Sequence, residues 1–487
     1  MFSLCSLGAI TDLRNNLRWT PAELRENISR SRAALLQLDV KRNDRVVVAH
    51  GGTPYFFADL LAAWSLGICG VCVNPSLTHG EMETVIDFVD ARAVLILHDN
   101  ATAAEGTAVE GLTVPVIDTR ENTKPLTDLP ERLSLTEDDP ALILFTSGTT
   151  GNPKGVVHTG RTLAARLEHN HRHFEDGALD RSLCVLPTHF GHGLIGNCLT
   201  PLLASAHLYL FPTPGIQGVA QMGDILTDHK ITFMSSVPAF WKMATKAARP
   251  PRDSSLKQVN VGSAPLSSEL WQAIMEWSGT DNVNNMYGIT ETANWAAGAS
   301  ARGLKPEDGL VGTMWGGEAA VLGKNGERLR CGEGEILLKT PSVMLGYFRR
   351  DDLTAEVLKD GWFYTGDYGS VDKQGVIRLS GRLKTEINRA GTKILPEEVD
   401  LLLEKHPQVA EACTFGIPDP INGERVAVAL RAAGAVTSAE LKTWCRKRIR
   451  NECVPEKWFM VDEIFKTDRG KVNRAKVRGI CLAQENN

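Results

Sequence analysis

No stretch of this chain approaches the roughly 20 consecutive apolar residues that a membrane-spanning helix needs. Its first residues, MFSLCSLGAITDLRNN, carry no basic start and only a short apolar run, so a soluble, unexported, cytoplasmic protein is expected. The ten cysteines are scattered among apolar residues, as at Cys5, Cys184, Cys331 and Cys413. That is not the dense spacing of a disulfide scaffold, and a reducing compartment fits it best. Charge of one sign is also missing. The 53 Lys and Arg against 58 Asp and Glu leave a formal −5 over 487 residues, which supplies no general field for nucleic acid, so any bound anion must be met by a local site. What is present is 43% hydrophobic residues, enough for more than one core, and this excludes disorder and fibrous repeats.

The apolar runs have an order. RVVVA near 45, the helix-like PYFFADLLAAWSLG and then ICGVCVN read as strand, helix, strand. The grammar recurs at AVLIL (93–97), TVPVID (113–118), ALILFTS (141–147), SLCVLP (182–187) and ITFMSSV (231–237). Near-continuous apolar strands of this kind predict parallel sheets covered on both faces. After about residue 310, glycine-rich segments such as GEGEILLKTPSVMLGYF and DGWFYTGDYGSVDKQGVIRLSGR predict antiparallel hairpins and a small barrel-like part. Beyond Arg382 a third pattern begins, with a helix opened by Pro396 and acidic in its first turn. The expected architecture is therefore α/β: a large domain over 1–382, built of βαβ sheets plus the barrel-like part, and a small mobile α+β domain over 383–487. That last segment is basic, with twelve Lys or Arg between Leu441 and Arg478 against five acids. Most of these belong to a solvated face; the sharper reading is a surface for phosphates or an acidic partner.

The strongest chemical signal is Thr146-Ser-Gly-Thr-Thr-Gly-Asn-Pro-Lys-Gly155, directly after the buried strand ALILF. Its glycines let the backbone turn tightly and present N–H groups, its hydroxyls add donors and Lys154 adds a point charge, which are the parts of a phosphate cradle. It is not the P-loop of kinases and GTPases, because Gly155 follows Lys154 and no GK[ST] occurs in the chain.

This loop resembles the signature of the adenylate-forming superfamily: acyl-CoA synthetases, peptide-synthetase adenylation domains and firefly luciferase. The resemblance continues in family order through VGSAPLS (261–267), MYGITET (286–292), WFYTGDYG (362–369), GRLKTEINRAGTKILPEEVD (381–400) and KTDRGKVNR (466–474). It covers nearly the whole chain. What it implies is residue by residue. Thr146, Ser147, Gly148, Thr149, Thr150, Gly151 and Lys154 would hold phosphates. Tyr287 and the turn Gly262-Ser263-Ala264-Pro265 would sandwich adenine, Asp367 would accept both ribose hydroxyls, and Arg382 would touch ribose and phosphate. Thr290 would contact phosphate and Glu291 would be the Mg²⁺ ligand, since a hard cation wants carboxylate oxygen. Lys471 would bring the α-phosphate and the acid's carboxylate together.

The reaction implied is ATP-dependent activation of a carboxylic acid to acyl-AMP with pyrophosphate release, then displacement of AMP by a thiol after the small domain swings. The hinge would be Lys384, and Gly391 would lie on the thiol path. The sequence departs from the family at three points. Thr385 stands where an acid often follows the hinge, Ala390 replaces a frequent glycine, and Phe190 of Pro187-Thr-His-Phe-Gly-His-Gly193 occupies the usual His register. ATP, Mg²⁺ and coenzyme A, or the phosphopantetheine of an acyl carrier protein, are the implied cofactors and co-substrates. The expected partners are a small carboxylic acid and, in the alternative, the carrier protein; nucleic acid and a membrane span are not expected. A luciferase-type monooxygenase and a non-catalytic nucleotide-binding protein are two further alternatives, and the oligomeric state stays open.

The acyl pocket is expected from His189, Phe190, His192, Val237, Met286, Ala293 and Trp295. Between Ser182 and Leu208 there is no Asp or Glu to meet an α-ammonium group, which argues against an amino acid and for a neutral aryl or medium-length acid. His169, His171 and His173 read as a solvated helix face rather than a zinc site, and Cys69 and Cys72 as buried structural thiols.

Overall fold

The structure, a computed structural model, describes the chain apart from residues 1, 98–108, 122, 127, 147–153, 390–391, 421–422, 468–469 and 486–487, and apart from the side chain of residue 485. It divides into two compact units. The first comprises Met1–Pro306, Thr313–Glu318 and Lys339–Phe363, and the second Glu307–Gly312, Ala319–Leu338 and Tyr364–Asn487.

The first unit holds two sheets. One runs in the order Gly346–Tyr347, Gly155–Thr159, Pro140–Phe145, Cys69–Cys72, Arg45–Val48, Ala93–Leu95, Val116–Ile117. From Pro140–Phe145 to Val116–Ile117 every pairing is parallel, and the first two are antiparallel. The apolar runs are buried along their length, as the near-continuous pattern predicts: Val46, Val47, Val48, Cys69, Val71, Ala93, Val94 and Leu95 have no exposed surface. The other sheet runs Asn294–Ser300, Val283–Ile289, Gln258–Gly262, Phe233–Ser236, Arg181–Cys184, His207–Leu210, Ile10–Asp12, Leu17–Trp19. Its centre is parallel and its two ends antiparallel. Helices start where the sequence caps them. Thr20 with Glu23 and Thr78 with Glu81 form reciprocal capping boxes, and Pro54 and Pro238 stand at helix N-termini, where a missing N–H costs nothing.

The second unit carries the ladder expected after residue 310. Its antiparallel hairpins include Trp362–Val371 with Ile377–Arg382 and Glu318–Leu322 with Arg328–Leu329. A separate five-stranded sheet is built around the long hairpin Val409–Asp419 and Gly423–Ala432. Helices Pro396–Glu404, Ser438–Arg446 and Arg474–Glu485 accompany it, with Val399, Leu403, Val426, Val428, Leu430 and Leu441 in one core. Among the described residues no helix is long and apolar enough to cross a membrane.

All ten cysteines are free thiols and eight are buried. Cys69 and Cys72 are fully buried; burial pushes Cys69 up to about 12 and Cys72 higher still, so both are inert structural thiols, as expected. The three histidines are only in part the expected solvated face: His173 is exposed, while His169 and His171 are half-buried. His173 lies beyond the helix Gly160–His171 and stacks on Trp315 with centroids 4.4 Å apart, while His171 Nε2 bonds the Thr200 carbonyl at 2.7 Å. Tertiary neighbours, invisible to helical periodicity, occupy them, and no metal-holding group of His, Cys, Asp or Glu occurs among the described residues.

Candidate active site

Strands Pro140–Phe145 and Gly155–Thr159 are antiparallel neighbours with Phe145 opposite Gly155, so the glycine-rich segment is the connection between them. Its ends are tied by Thr146 N–H to the Lys154 carbonyl at 3.2 Å. Ser147, Gly148, Thr149, Thr150 and Gly151 lie outside the described residues. On the next strand Tyr347 pairs with Val156. Its ring faces the Lys154 ammonium, 5.6 Å from the centroid, and its hydroxyl donates to Glu291 Oε1 at 2.7 Å. Burial and the adjacent Glu291 charge both raise the phenol above its ordinary range, so Tyr347 keeps its proton and is the donor to Glu291. A lysine, a phenol and a carboxylate thus stand in a row at the exit of the loop.

The turn carrying Glu291, Thr290–Thr292, is held by its backbone. His158 Nε2 bonds the Thr290 carbonyl at 2.8 Å. Met344 N–H donates to the Glu291 carbonyl at 2.7 Å, and Arg166 Nε to the Thr292 carbonyl at 3.3 Å. Three consecutive carbonyls are therefore engaged by three other segments, which leaves the side chains of Thr290 and Glu291 partly exposed. Arg166 is fully buried; it also bonds the Trp315 carbonyl at 3.0 Å and Ser342 Oγ at 2.5 Å. Burial lowers its pKa to about 9, which leaves it charged at pH 7. His158, also buried, is pushed by burial down to about 4 and is neutral there. The turn ends on two residues of positive φ, Ala293 at 55° and Asn294 at 86°, a strained exit next to the clamped carbonyls.

Three residues upstream on the same strand, Tyr287 is 6% exposed, and Met286 lies beside Gly262. A Cβ at Gly262 would sit 2.9 Å from the Met286 carbonyl oxygen, so only glycine lets the turn come this close. Ser263 follows with φ 69°, and Ala264 and Pro265 continue the turn toward the helix Ser268–Ser278. His192 joins this turn to the expected acyl region: Nδ1 is 2.8 Å from Ser263 Oγ and Nε2 is 2.6 Å from Ser235 Oγ. His192 opens a π-helical segment, His192–Leu199, a geometry concentrated at functional sites. Phe190, Val237, Met286, Ala293 and Trp295 are all buried. His189 packs edge-on to Phe190 at 5.7 Å, and Trp295 packs against Phe233 and Trp315 in one apolar cluster. Trp295 Nε1 and Asn294 Nδ2 are buried without a hydrogen-bond partner among the described residues, and both residues abut Gly196 of the π-helix.

The second unit brings together a different set. Asp367, 4% exposed, lies opposite Arg382 on the neighbouring strand, and Arg382 Nε is 2.7 Å from its Oδ1. Lys384 is exposed on the single turn Leu383–Thr385; Gly391 lies outside the described residues. Lys471 closes a short loop in which Thr467 N–H donates to its carbonyl at 2.7 Å and Lys466 bridges to Val472. Lys466 ion-pairs with Glu411, which also accepts from Arg431 Nε at 2.9 Å.

Reading by motif missed His158, Arg166, Tyr347 and Met344. Tyr347 stands in an aromatic stretch with no chemical pattern, and a backbone N–H has no sequence signature. His158 and Arg166 follow the glycine-rich loop closely enough that their polar character on a buried strand and helix was the available signal.

The fold and the motifs it carries define an AMP-forming ligase. Residues 7–348 match the family described as AMP-binding enzyme, and residues 398–471 match the AMP-binding enzyme C-terminal domain. The chain belongs to the AMP-binding enzyme family and is, with it, an adenylate-forming acid–thiol ligase, as the motifs implied. Among its curated relatives, a sulfoacetate–CoA ligase of Cupriavidus necator is 31% identical, over 84% of this chain and 82% of the relative. An oxalate–CoA ligase of Arabidopsis thaliana is 29% identical, over 93% and 92%. Among solved structures, an amide bond synthetase from Marinactinospora thermotolerans superposes with TM-score 0.86 at 26% identity, over 98% of both chains.

Proposed function

We propose that this chain is an AMP-forming acid–CoA ligase acting on a compact carboxylic acid that carries a hydrogen-bond acceptor away from its reacting carboxylate. The observation that carries the reading is the clamped turn Thr290–Thr292, which presents Glu291 to Tyr347 beside Lys154. A lysine and a carboxylate side chain at the exit of a glycine-rich loop suit a phosphate chain and its counter-cation. Mg²⁺, when bound, would neutralise phosphate charge. Glu291 suits it as ligand because, among the described residues, only its Oε1 is engaged, by Tyr347, and the donor is hard oxygen. Lys154 and the loop hydroxyls hold phosphates, the Gly262–Pro265 turn and Tyr287 hold the base, and Asp367 with Arg382 holds the ribose. The acid's carboxylate attacks the α-phosphorus and pyrophosphate leaves. Lys471 stabilises the charge gathered between them, and the thiol of coenzyme A then displaces AMP. The functional boundary falls at 382/383 with Lys384 as pivot, Gly391 on the thiol path and a cytoplasmic setting, which the free thiols support.

The acid class rests on the orphan donors Trp295 Nε1 and Asn294 Nδ2. Each buried unpaired donor costs about 1–3 kcal/mol, a penalty that an acceptor on the acid would relieve. His189, Phe190, His192, Val237, Met286 and Ala293 form the remaining wall, and the packed Trp295 limits length. The names of the two relatives, with a sulfonate and a second carboxylate, run in the same direction. The test is pyrophosphate release across short diacids, sulfonated acids, neutral aryl acids and medium-length acids, each with and without coenzyme A. Turnover of neutral acids alone would overturn the acid class. Pyrophosphate release without thioester, or thioester only on a carrier protein's phosphopantetheine, would overturn the acceptor.

A further inference from the structure

We propose that Glu397 is a positioning residue that couples the pivot at Lys384 to the loop bearing Lys471; the inference rests on the roles given to those two lysines above. Glu397 lies in the first turn of the helix Pro396–Glu404, and its carboxylate meets two groups from opposite directions. On one side Thr385 Oγ is 3.1 Å from Oε1 and 3.0 Å from the Arg382 carbonyl, so one hydroxyl spans the pivot. On the other side Arg474 Nη2 is 3.0 Å from the same Oε1. Arg474 stands three residues after Lys471, and its Nη1 is held by Asp400 Oδ2 at 2.8 Å and the Thr414 carbonyl at 2.6 Å.

The chain also makes room for this carboxylate. A Cβ at Gly381 would lie 2.7 Å from Glu397 Oε2, so glycine just before Arg382 lets the carboxylate seat against the strand end. A torsion change at Lys384 moves Thr385 and the helix relative to the Arg382 carbonyl. The hydroxyl, which has one proton to share between the two acceptors, cannot then stay within reach of both. Leaving this arrangement frees Oε1 for Arg474 alone, so the state of the pivot is felt at the start of the helix that follows Lys471. Thr385 stands where the family often has an acid. An acid there would repel Glu397, whereas the hydroxyl donates to it.

The experiment compares single-turnover rates of acyl-AMP formation and of thioester formation from supplied acyl-AMP, in the full chain, for Thr385→Val, Glu397→Gln, their double variant and Thr385→Ser. The expected result is a change of about fivefold or more in the ratio of the two rates, in the same direction, for Thr385→Val and Glu397→Gln. The double variant should be no worse than the stronger single change, and Thr385→Ser should restore the ratio. Thr385→Val removes only a hydroxyl, so it reports even where Glu397→Gln, beside Arg474, lowers stability. Equal changes in both rates, an unchanged ratio or additive effects overturn the inference. Lys471→Ala run alongside separates the two levels. Selective loss of acyl-AMP formation in that variant with an unchanged ratio for Thr385→Val removes the coupling alone, whereas unselective loss removes the role of Lys471 and this inference with it.

Discussion

The two elements expected to carry the first half-reaction are anchored in opposite ways. The Thr290–Thr292 turn is held by groups that do not depend on ion pairing: a neutral buried imidazole, a backbone N–H and a guanidinium that donates to carbonyls and a hydroxyl. The Lys471 loop is held by ion pairs at both ends, Lys466 and Arg431 on Glu411 before it and Arg474 on Glu397 and Asp400 after it. Burial alone would raise Glu411, but the Lys466 and Arg431 charges outweigh it and hold the carboxyl below its ordinary range. Carbonyl anchoring gives a fixed turn indifferent to salt. Ion-pair anchoring gives a loop that can be released and reset, which suits a lysine needed in only one of two steps.

The largest effects break each element directly. Glu291→Gln should lower the rate of pyrophosphate release about a hundredfold or more with the circular dichroism unchanged, because a neutral amide is a weaker ligand for a hard cation. Near-normal rates at ordinary Mg²⁺ would remove Glu291 from the site. Lys471→Ala should cost acyl-AMP formation a similar factor, consistent with one lost electrostatic contact at the reacting centre.

A second test sharpens the contrast through acid. His158 has its folded pKa depressed from 6.5 to about 4. Its contribution to stability is therefore fully present above pH 6.5 and is lost as pH falls through 6.5 toward 4. The shift corresponds to about 3 kcal/mol. Urea unfolding of the wild type at pH 7, 5.5 and 4.5 should show this slope and His158→Asn should flatten it, even if the variant starts lower. Parallel slopes would mean that protonation of His158 is not what loosens the turn.

Smaller effects follow from the row of groups at the loop exit. Tyr347→Phe removes the donor to Glu291 and keeps the ring under Lys154, so the Mg²⁺ concentration for half-maximal rate should shift about fivefold with little change in the acid KM. An equal shift in both would place Tyr347 in general packing. The smallest effect is on the ion-paired loop: Lys466→Gln should lower acyl-AMP formation only about twofold and remove part of its sensitivity to salt, since the lysine is 30% exposed and screened. A salt response identical to that of the wild type would end the contrast between the two anchors.

The covered parallel sheet followed from runs of Val, Leu, Ile and Ala that have no polar face to turn outward, while the order of its strands came from the structure. Candidates for the site were legible wherever chemistry needs a fixed spacing along one segment. Gly262 to Pro265, Thr290 with Glu291, and Asp367 stand in contiguous motifs because a turn of three or four residues must present them together. His158, Arg166 and Tyr347 were not legible, since their partners lie 132, 126 and 56 residues away, and no local pattern records a contact of that range. The partners of His171 and His173 escaped for the same reason: helical spacing gives a face but not what packs on it.

By itself the sequence determined the family and its adenylate-forming chemistry, because the motifs from TSGTTGNPKG to KTDRGKVNR are short stretches whose meaning is carried by neighbours along the chain. Only the tertiary structure decided how the acidic turn is held. Three consecutive carbonyls must each find a donor inside the protein, and those donors came from a strand, a helix and a loop that folding alone brings to one place.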